Sequence, residues 1–553
     1  MPGTWLTERP FDEVIHDLAF IVPKIGSQWF TDARWLQRKD VSIGEVTLYD
    51  WATLSQGSET VVGIAVVAID FKGGRASEAQ AESDAGTQVE SHLYNIPLLI
   101  TKSGNSIQSE PIVGIIGRDF SGYVYDATGT RAFAAALFGA VKAGKRLYSK
   151  RGYFGFNSAG PGLPDSPVRT AVTEDRDTTN TITMVDSSQV IKVYRRLQPG
   201  LSPDIEISKG LDGAGFQNFP RPLGYGVYSE GQGVTCPAFF IQEFIENEGD
   251  AWDILCEDAL RFLKRRVEEL SSQGDDRGAA SVDSCGKAFD SRESRLGVVT
   301  AGLHSASSGV DEERFTPEIM GSEDVAGLIN NIFCAIPITM EELRRASRRS
   351  DLLEKNFNRH EVWKEKETIL ACLRQAEEVL ASSQGLGMKI RIHGDLHLGQ
   401  FLQVRRNESY DFVVIDFEGE PLRPVCERLR KSSPLRDVAG MLRSFDYSGY
   451  SAAFRMDDSP DEKRHLMEIA REWGRQAGQK FLEGYLEAIH GSHSFLLPKN
   501  PRDFQLLLLC FKLEKALYEI RYELRNRPRW VNIAIQGTLD SIDEIRSSLH
   551  CGA

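Results

Sequence analysis

Residues 390–400 read Ile390-Arg391-Ile392-His393-Gly394-Asp395-Leu396-His397-Leu398-Gly399-Gln400, and residues 411–420 read Asp411-Phe412-Val413-Val414-Ile415-Asp416-Phe417-Glu418-Gly419-Glu420. Each stretch delivers an aspartate from an apolar run. Asp395 follows its run on a loop, and Asp416 ends the run Phe412-Val413-Val414-Ile415, twenty-one positions later. Transfer of a phosphoryl group asks little covalent chemistry of a protein. It needs a carboxylate that orients and deprotonates an acceptor hydroxyl, oxygen ligands for a magnesium ion, and cations near the phosphates. Asp395 is placed for the first task. Gln400, five residues on, offers a neutral amide oxygen, and Asp416 presents a carboxylate beyond a strand's C-terminal end. A hard cation favours that oxygen set. Taken singly, a His-Gly-Asp turn or an Asp at a strand end is ordinary. The two in this order, each after an apolar strand, argue for function. His393 and His397 read as structural partners of the loop, not as metal ligands.

The same chemistry calls for a lysine on a strand of a small nucleotide-binding lobe, held by a carboxylate on a helix. Lys192 lies within Val190-Ile191-Lys192-Val193-Tyr194. A charge inside an apolar strand costs desolvation and usually has a partner. Glu206 is the expected partner, fourteen residues on, at the start of a predicted helix over 203–212. The alternative is a lysine alternating outward from a half-exposed strand. No glycine-rich GxGxxG or GxxxxGK[ST] motif lies nearby, so the hairpin around Asp186-Ser187-Ser188 is left to cover the phosphates.

Bulk properties bound the rest. The chain has 553 residues, 41% hydrophobic and 26% charged, with a net charge of −14. That length suggests two or three structural units. The acidic balance argues against nucleic acid or an anionic membrane as partner, since those surfaces need clustered Lys and Arg. The 8 cysteines form no CxxC pair, which fits a reduced, cytoplasmic protein. The N-terminal residues have no charged head before an apolar run, and no run of 18 apolar residues predicts a membrane span.

Strand-like runs occur at 43–49, 60–70, 94–101 and 111–117, followed by a helical pattern over 131–144. Two more strands are predicted at 181–186 and 189–197 around the turn, and another at 238–245. The polar stretches 72–92, 150–178 and 271–316 read as insertions, the last as a flexible excursion. The resulting division is an N-terminal cap over 1–148, a linker over 149–178, a small β-rich lobe over 179–249 and a large, mainly helical lobe over 250–553. The expected class is α+β, a two-lobed kinase-like fold with an additional N-terminal cap subdomain.

The stretches HGDLHLGQFL, VIDFEGEPLRP and KSSPLRDVAGMLRSFDY resemble the maltokinases, which are aminoglycoside-phosphotransferase-like kinases. The resemblance extends to TNTITMVDSSQVIKVYRRLQPGLSPDIEI, FIQEFIENEGDAWDI and LEKALYEIRYELRNRPRWVNIAI, covering most of 179–250 and 389–535. It implies ATP-dependent, Mg2+-dependent phosphorylation of maltose at its anomeric hydroxyl, for α-glucan synthesis. It also implies association with trehalose synthase or other glucan-synthesis enzymes. Carried over by motif, it implies Asp395 as catalytic base, Gln400, Asp416 and Glu418 as metal ligands, and Lys192 on the phosphates. On the acceptor side it implies Lys515, Tyr518 and Tyr522, which follow at i, i+3 and i+7 on one helical face. A stripe with that spacing also suits a core, although cores rarely keep a lysine. Arg436 and Asp437 either line the acceptor pocket or brace the helix that follows them. Pro528-Arg529-Trp530 departs from the family's Pro-Asp-Trp, close to the presumed sugar helix. A kinase of another sugar or amino sugar, such as glucosamine or another glucoside, therefore stands as an alternative. So does a sugar- or nucleotide-binding pseudokinase.

Overall fold

The computed structural model describes residues 3–10, 13, 18–36, 42–72, 90–102, 110–117, 120–173, 179–231, 233–272, 291–348, 366–407, 409–421, 423–456, 460–491 and 493–550. The chain divides into two compact units, Met1–Asp212 with Pro220–Ile245, and Gly213–Phe219 with Glu246–Ala553.

The first unit holds two sheets. The N-terminal one has the order β1-β5-β6-β4-β3-β2, formed by β1 (Gly3–Leu6), β2 (Ser42–Gln56), β3 (Thr60–Lys72), β4 (Glu90–Thr101), β5 (Val113–Ile116) and β6 (Ser121–Asp126). Its middle strands show why it forms. Side chains alternate faces along a strand. On β3, Val61, Ala65, Val67, Ile69 and Phe71 pack with Ile21, Val22 and Phe30. From the opposite face Val62, Ile64 and Val66 pack with Phe133, Leu137 and Val141. Those last three belong to helix α1 (Arg131–Lys142), which is N-capped by Thr130, whose side chain accepts from Phe133 N. The capping satisfies a backbone donor that the first helical turn leaves open.

The second sheet, of order β7-β8-β12-β13-β11-β10-β9, comprises β7 (Arg146–Tyr148), β8 (Gly152–Ser158), β9 (Ala171–Thr173), β10 (Thr181–Val185), β11 (Gln189–Val193), β12 (Pro222–Glu230) and β13 (Val234–Glu243). Phe154, Phe156, Val185, Ile191, Val193, Phe239 and Ile241 from it join the same core as α1. The 149–178 stretch, read from sequence as a linker, thus contributes β8 and β9. Its Gly- and Pro-rich flanks hide the period-two burial of Phe154 and Phe156. The β10–β11 hairpin turns through Asp186 at φ 49° and Ser187 at φ 52°. Two consecutive left-handed residues match the twist of the paired strands. The Asp186 carboxylate secures the turn by accepting from Arg169 N at 2.9 Å and Thr170 N at 2.7 Å. Helix α2 (Pro203–Gly213) completes the unit's longer elements.

The second unit is mainly helical. Its long helices are α3 (Ala251–Ser272), α4 (Arg292–Ser308), α5 (Ser322–Ser347), α6 (Lys366–Ser382), α7 (Leu435–Phe454), α8 (Pro460–Ile489), α9 (Pro501–Asn526) and α10 (Val531–His550). Two strand pairs interrupt them. β14 (Glu318–Ile319) meets β15 (Met388–Lys389), and β16 (Phe401–Arg406) forms a hairpin with β17 (Ser409–Val414). The 213–219 segment belongs here because Asn218 Nδ2 donates to Phe412 O at 2.7 Å and Val414 N to Asn218 O at 2.8 Å.

Part of the predicted excursion at 271–316, residues 273–290, lies outside the described residues, as does most of the 72–92 insertion, residues 73–89. The remainder of 271–316 is not an excursion. Helix α4 occupies Arg292–Ser308 and buries Ser294, Gly297, Thr300, Ala301, His304 and Ser307. Leu296, Val299 and Leu303 are buried on it as well, but serine, glycine and threonine interleave with them, so the apolar stripe is thin. The small residues serve contact: a Cβ on Gly297 would fall 2.1 Å from Phe481 O, and one on Gly484 would fall 2.2 Å from Ser294 O. Helices α4 and α8 therefore meet at backbone distance. Among the described residues no helix is long and apolar enough to cross a membrane.

Candidate functional site

The chemistry-bearing residues of the second unit converge on the loop between β15 and β16. Gly394 turns this loop at φ 83° and Gly419 turns the facing one at φ 74°. A Cβ on Gly394 would lie 3.6 Å from Gly419 Cα, an ordinary van der Waals contact, so the loops lie side by side and the positive φ of each is what calls for glycine. A Cβ on Gly440 of α7 would lie 2.5 Å from Leu396 O, which sets that helix directly against the Asp395 loop.

Asp437, in the first turn of α7, holds the loop. Its Oδ2 accepts from His393 N at 2.8 Å and its Oδ1 from Gly394 N at 2.9 Å. Burial would raise its pKa, but the hydrogen bond from His304 and the loop amide donor outweigh it, and the carboxyl is held below its ordinary value. His393 braces the loop from the other side. Its Nδ1 accepts from Asp395 N at 3.3 Å, so Nε2 carries the proton and donates to Ile415 O at 2.9 Å. This ties the Asp395 loop to the strand end that bears Asp416. His393 is thus a loop brace, as its sequence context suggests.

Asp395, Glu420, Arg423, Arg436, Asp437, Glu514 and Lys515 line a narrow pocket together with Gly394, Leu396, Gly440 and Phe511. Lys515 Nζ reaches two carboxylates, Asp395 Oδ1 at 2.9 Å and Glu420 Oε1 at 2.7 Å. Burial opposes the Lys515 charge, yet Asp395 and Glu420 hold its pKa well above the usual lysine value. Reciprocally, burial would raise Asp395, but Lys515 carries it well below the carboxylate range. The network continues from Glu420 to Arg423, which also reaches Glu514 Oε1 at 3.3 Å, and Arg436 NH2 donates to Glu514 Oε2 at 2.5 Å. Three cations thus alternate with three carboxylates around the pocket wall. Of the residues assigned to the acceptor side, Lys515, Arg436 and Asp437 meet Asp395 in this pocket. Tyr518 lies beneath Lys515, whose Nζ is 4.9 Å from the ring centroid, and Tyr522 stacks on Tyr518 at 6.4 Å and 16°. The two tyrosines extend the helical face away from the pocket. Trp530, which follows the departure from the maltokinase pattern at Arg529, stacks on Tyr447 at 6.1 Å and 18°.

Gln400 and Asp416 come together, with Gln400 Nε2 3.4 Å from Asp416 Oδ2. Asp416 adopts φ 66°, a left-handed conformation uncommon outside glycine. Strain of this kind persists only where the surroundings over-determine it. Half-buried Glu418 follows two residues later, and its backbone oxygen accepts from Arg428 NH1 at 2.9 Å. This donor set consists of oxygens, as Mg2+ requires, so the residues present fit the ion.

In the first unit Lys192 is 8% exposed. Ile191 and Val193 face the apolar core, which leaves Lys192 on the opposite side of β11. There Nζ donates to Asp204 Oδ2 at 2.8 Å, and Tyr194 OH donates to the same oxygen at 3.2 Å. Asp204 stands two residues before the expected Glu206, and both lie in the first turn of α2. Sequence reasoning misses Asp204, Glu420, Arg423 and Glu514. Two of these leave a signal: Glu420 closes the quoted Asp-Phe-Glu-Gly-Glu run, and Glu514 adjoins Lys515.

No family model matches the chain. It is 25% identical to a glucosamine kinase from Streptacidiphilus jiangxiensis over 373 residues, 66% of this chain and 72% of that one. A glucosamine kinase from Mycolicibacterium smegmatis is 24% identical over 363 residues, 65% of this chain and 76% of that one. A solved glucosamine kinase in complex with glucosamine, ADP and inorganic phosphate matches with a TM-score of 0.57 at 21% identity, covering 97% of this chain and 99% of that one. The chain has the α+β kinase-like fold and stands among the kinase-like sugar kinases. It is a phosphotransferase with an alcohol group as acceptor, and it uses ATP and Mg2+. The motifs' resemblance to maltokinases is supported at the level of a kinase-like sugar kinase, and the relatives found act, by name, on an amino sugar.

Proposed function

We propose that the chain phosphorylates an amino sugar, with glucosamine as the acceptor. The observation that carries this reading is the pocket wall at Asp395 and Glu420, where two carboxylates share one ammonium, that of Lys515. An acceptor bearing its own ammonium group finds matching charge there, and the named relatives support the choice. Asp395 receives the hydrogen bond of the acceptor hydroxyl and then its proton. Its depressed pKa makes it a weak base, which suits a loose transition state in which orienting the nucleophile matters more than early deprotonation. Lys515 and Arg436 position the sugar, with Asp437 holding the loop beside them and Tyr518 and Tyr522 beyond. Gln400, Asp416 and Glu418 would hold Mg2+, which when bound neutralises charge on the triphosphate. Lys192, steadied by acidic residues of α2, neutralises phosphate charge.

Maltose is the second reading, favoured by the HGDLHLGQ and IDFEGEP motifs and by the stacked Tyr518–Tyr522 pair, which offers aromatic faces to a second sugar ring. Association with trehalose synthase would go with that reading. An ADP-release assay with Mg2+ against glucosamine, glucose, maltose, trehalose and water separates them. We expect a rate dependent on glucosamine and at least tenfold lower with glucose. A rate with maltose alone would replace the amino-sugar reading, and ATP binding without turnover on any acceptor would sink it.

A further inference from the structure

We infer that His304, a fully buried residue of α4, is a positioning residue that orients the Asp395 loop through Asp437. This rests on the reading of Asp395 as the residue that receives the acceptor's proton. His304 has 0% exposure. Its Nε2 lies 3.2 Å from Asp437 Oδ2 and its Nδ1 3.0 Å from Tyr485 OH. A carboxylate only accepts, so Nε2 carries the proton and Nδ1 accepts from the Tyr485 hydroxyl. Every hydrogen bond in the chain then has one direction. Tyr485 donates to His304, His304 to Asp437, and the His393 and Gly394 amides donate to Asp437 from the opposite side.

The chain draws on three helices, and each of its positions is set independently. Gly297 and Gly484 bring α4 and α8 to backbone contact, which places Tyr485 against His304, ring centroids 5.6 Å apart at 80°. Three residues after His304, Ser307 Oγ donates to Arg391 O at 2.5 Å, so α4 grips the loop's incoming strand as well. Without His304, Asp437 keeps its loop amides but loses the donor that fixes its own rotation. The orientation of Gly394 and the adjoining Asp395 then loosens. A displacement of about 1 Å at a reacting group can cost about 100-fold in rate.

The test uses the full chain with three variants. His304→Gln retains a donor and an acceptor, His304→Leu removes both, and Tyr485→Phe removes the hydroxyl while keeping the ring. Amide hydrogen exchange over 390–397 and kcat with the Kd for ATP are measured on each. We expect exchange at His393 and Gly394 to rise at least tenfold in His304→Leu, with kcat falling 10- to 100-fold and the Kd for ATP within twofold of wild type. Tyr485→Phe should show the same pattern at a few-fold, and it carries the test if His304→Leu does not fold. His304→Gln should restore most of both. Unchanged exchange in the folded variants, or faster exchange with an undiminished kcat, overturns the proposal. So does a Gln variant as damaged as Leu. A wild-type protein inactive on glucosamine fails the amino-sugar reading instead, and the exchange measurement still decides the relay.

Discussion

A buried aspartate of the first unit and a half-buried one of the second are satisfied in opposite ways. Asp50, on β2 of the first unit, is 3% exposed. Its carboxylate accepts from Ser149 Oγ at 2.6 Å, Lys150 N at 3.1 Å, Arg151 N at 3.3 Å and Tyr228 OH at 2.8 Å. With Trp51 N, which also donates to it at 3.0 Å, the donors are all neutral; three of them sit in one turn, and together they staple β2 to that turn and to β12. Asp395, in the second unit, has a long flexible side chain as its charged partner, and that lysine is shared with Glu420. A carboxylate held by fixed neutral donors cannot release them without breaking the fold, since unpaired buried donors cost about 1–3 kcal/mol each. A carboxylate held by an ammonium on a four-carbon stem can exchange that partner for a substrate group. The same residue type is thus structural in one unit and available for chemistry in the other.

The comparison is broken most directly by removing each charge in turn. Asp395→Asn should lower kcat about 1,000-fold, within the usual range for loss of a general base, while the Kd for ATP from calorimetry stays within about threefold. Asp50→Asn should show the reverse: kcat per folded molecule unchanged, and stability lowered by about 1–3 kcal/mol in urea titration as the amide turns a donor toward donors. An Asp50→Asn protein that is stable but inactive, or an Asp395→Asn protein that still turns over, would dissolve the distinction.

Lys515→Met sharpens it. Asp395 is depressed because Lys515 outweighs burial. A depressed carboxylate is ionised above its folded pKa, so activity that needs the anion persists as pH rises and is lost only as pH falls through that low value. Without the lysine, burial is opposed only by the neighbouring His397 and His393, and the pKa moves up. The acid limb of kcat/KM should shift upward by about one pH unit or more, with kcat at neutral pH lower by about tenfold for lost orientation of the acceptor. An acid limb that stays in place would mean that the Lys515 charge does not reach the titrating group.

The fold is legible in the sequence where periodicity is strong. β3, β4 and α1 announce themselves because Val62, Ile64 and Val66 alternate with Val61, Ala65 and Val67, and because Phe133, Leu137 and Val141 recur at helical spacing. β8 and α4 escape notice for opposite reasons. β8 hides in Gly- and Pro-rich sequence, and α4 carries only a thin apolar stripe, Leu296, Val299 and Leu303, among serine, glycine and threonine. At the site, Asp395, Gln400, Asp416 and Lys515 are legible because motif order constrains them. Glu420, Arg423 and Glu514 are not, since alternation of charge around a pocket arises from a loop, a turn and a helix remote in sequence. His304 is the extreme case. It is a lone histidine in a polar stretch, and its partners lie 133 and 181 positions away.

The smallest effect lies in the first unit, where Lys192, the lysine proposed for the phosphates, adopts the closed style of a structural pair. Asp204 and Glu206 are two residues apart on α2, and positions i and i+2 of a helix do not share a face. Asp204 is 2% exposed and takes both the Lys192 ammonium and the Tyr194 hydroxyl. Asp204→Asn preserves the shape and removes the charge, so Lys192 keeps its strand position and loses only its anchor. The KM for ATP should rise about fivefold, an effect of roughly 1 kcal/mol that fits one weakened charge-assisted hydrogen bond. Glu206→Gln should change it by less than about twofold, since Asp204 already takes the Lys192 ammonium at 2.8 Å. The opposite ranking would return the anchoring role to Glu206, as the sequence alone suggests. It would also mean that a 2.8 Å contact between buried charges is a folding device in this unit, even on the strand that carries the phosphate lysine.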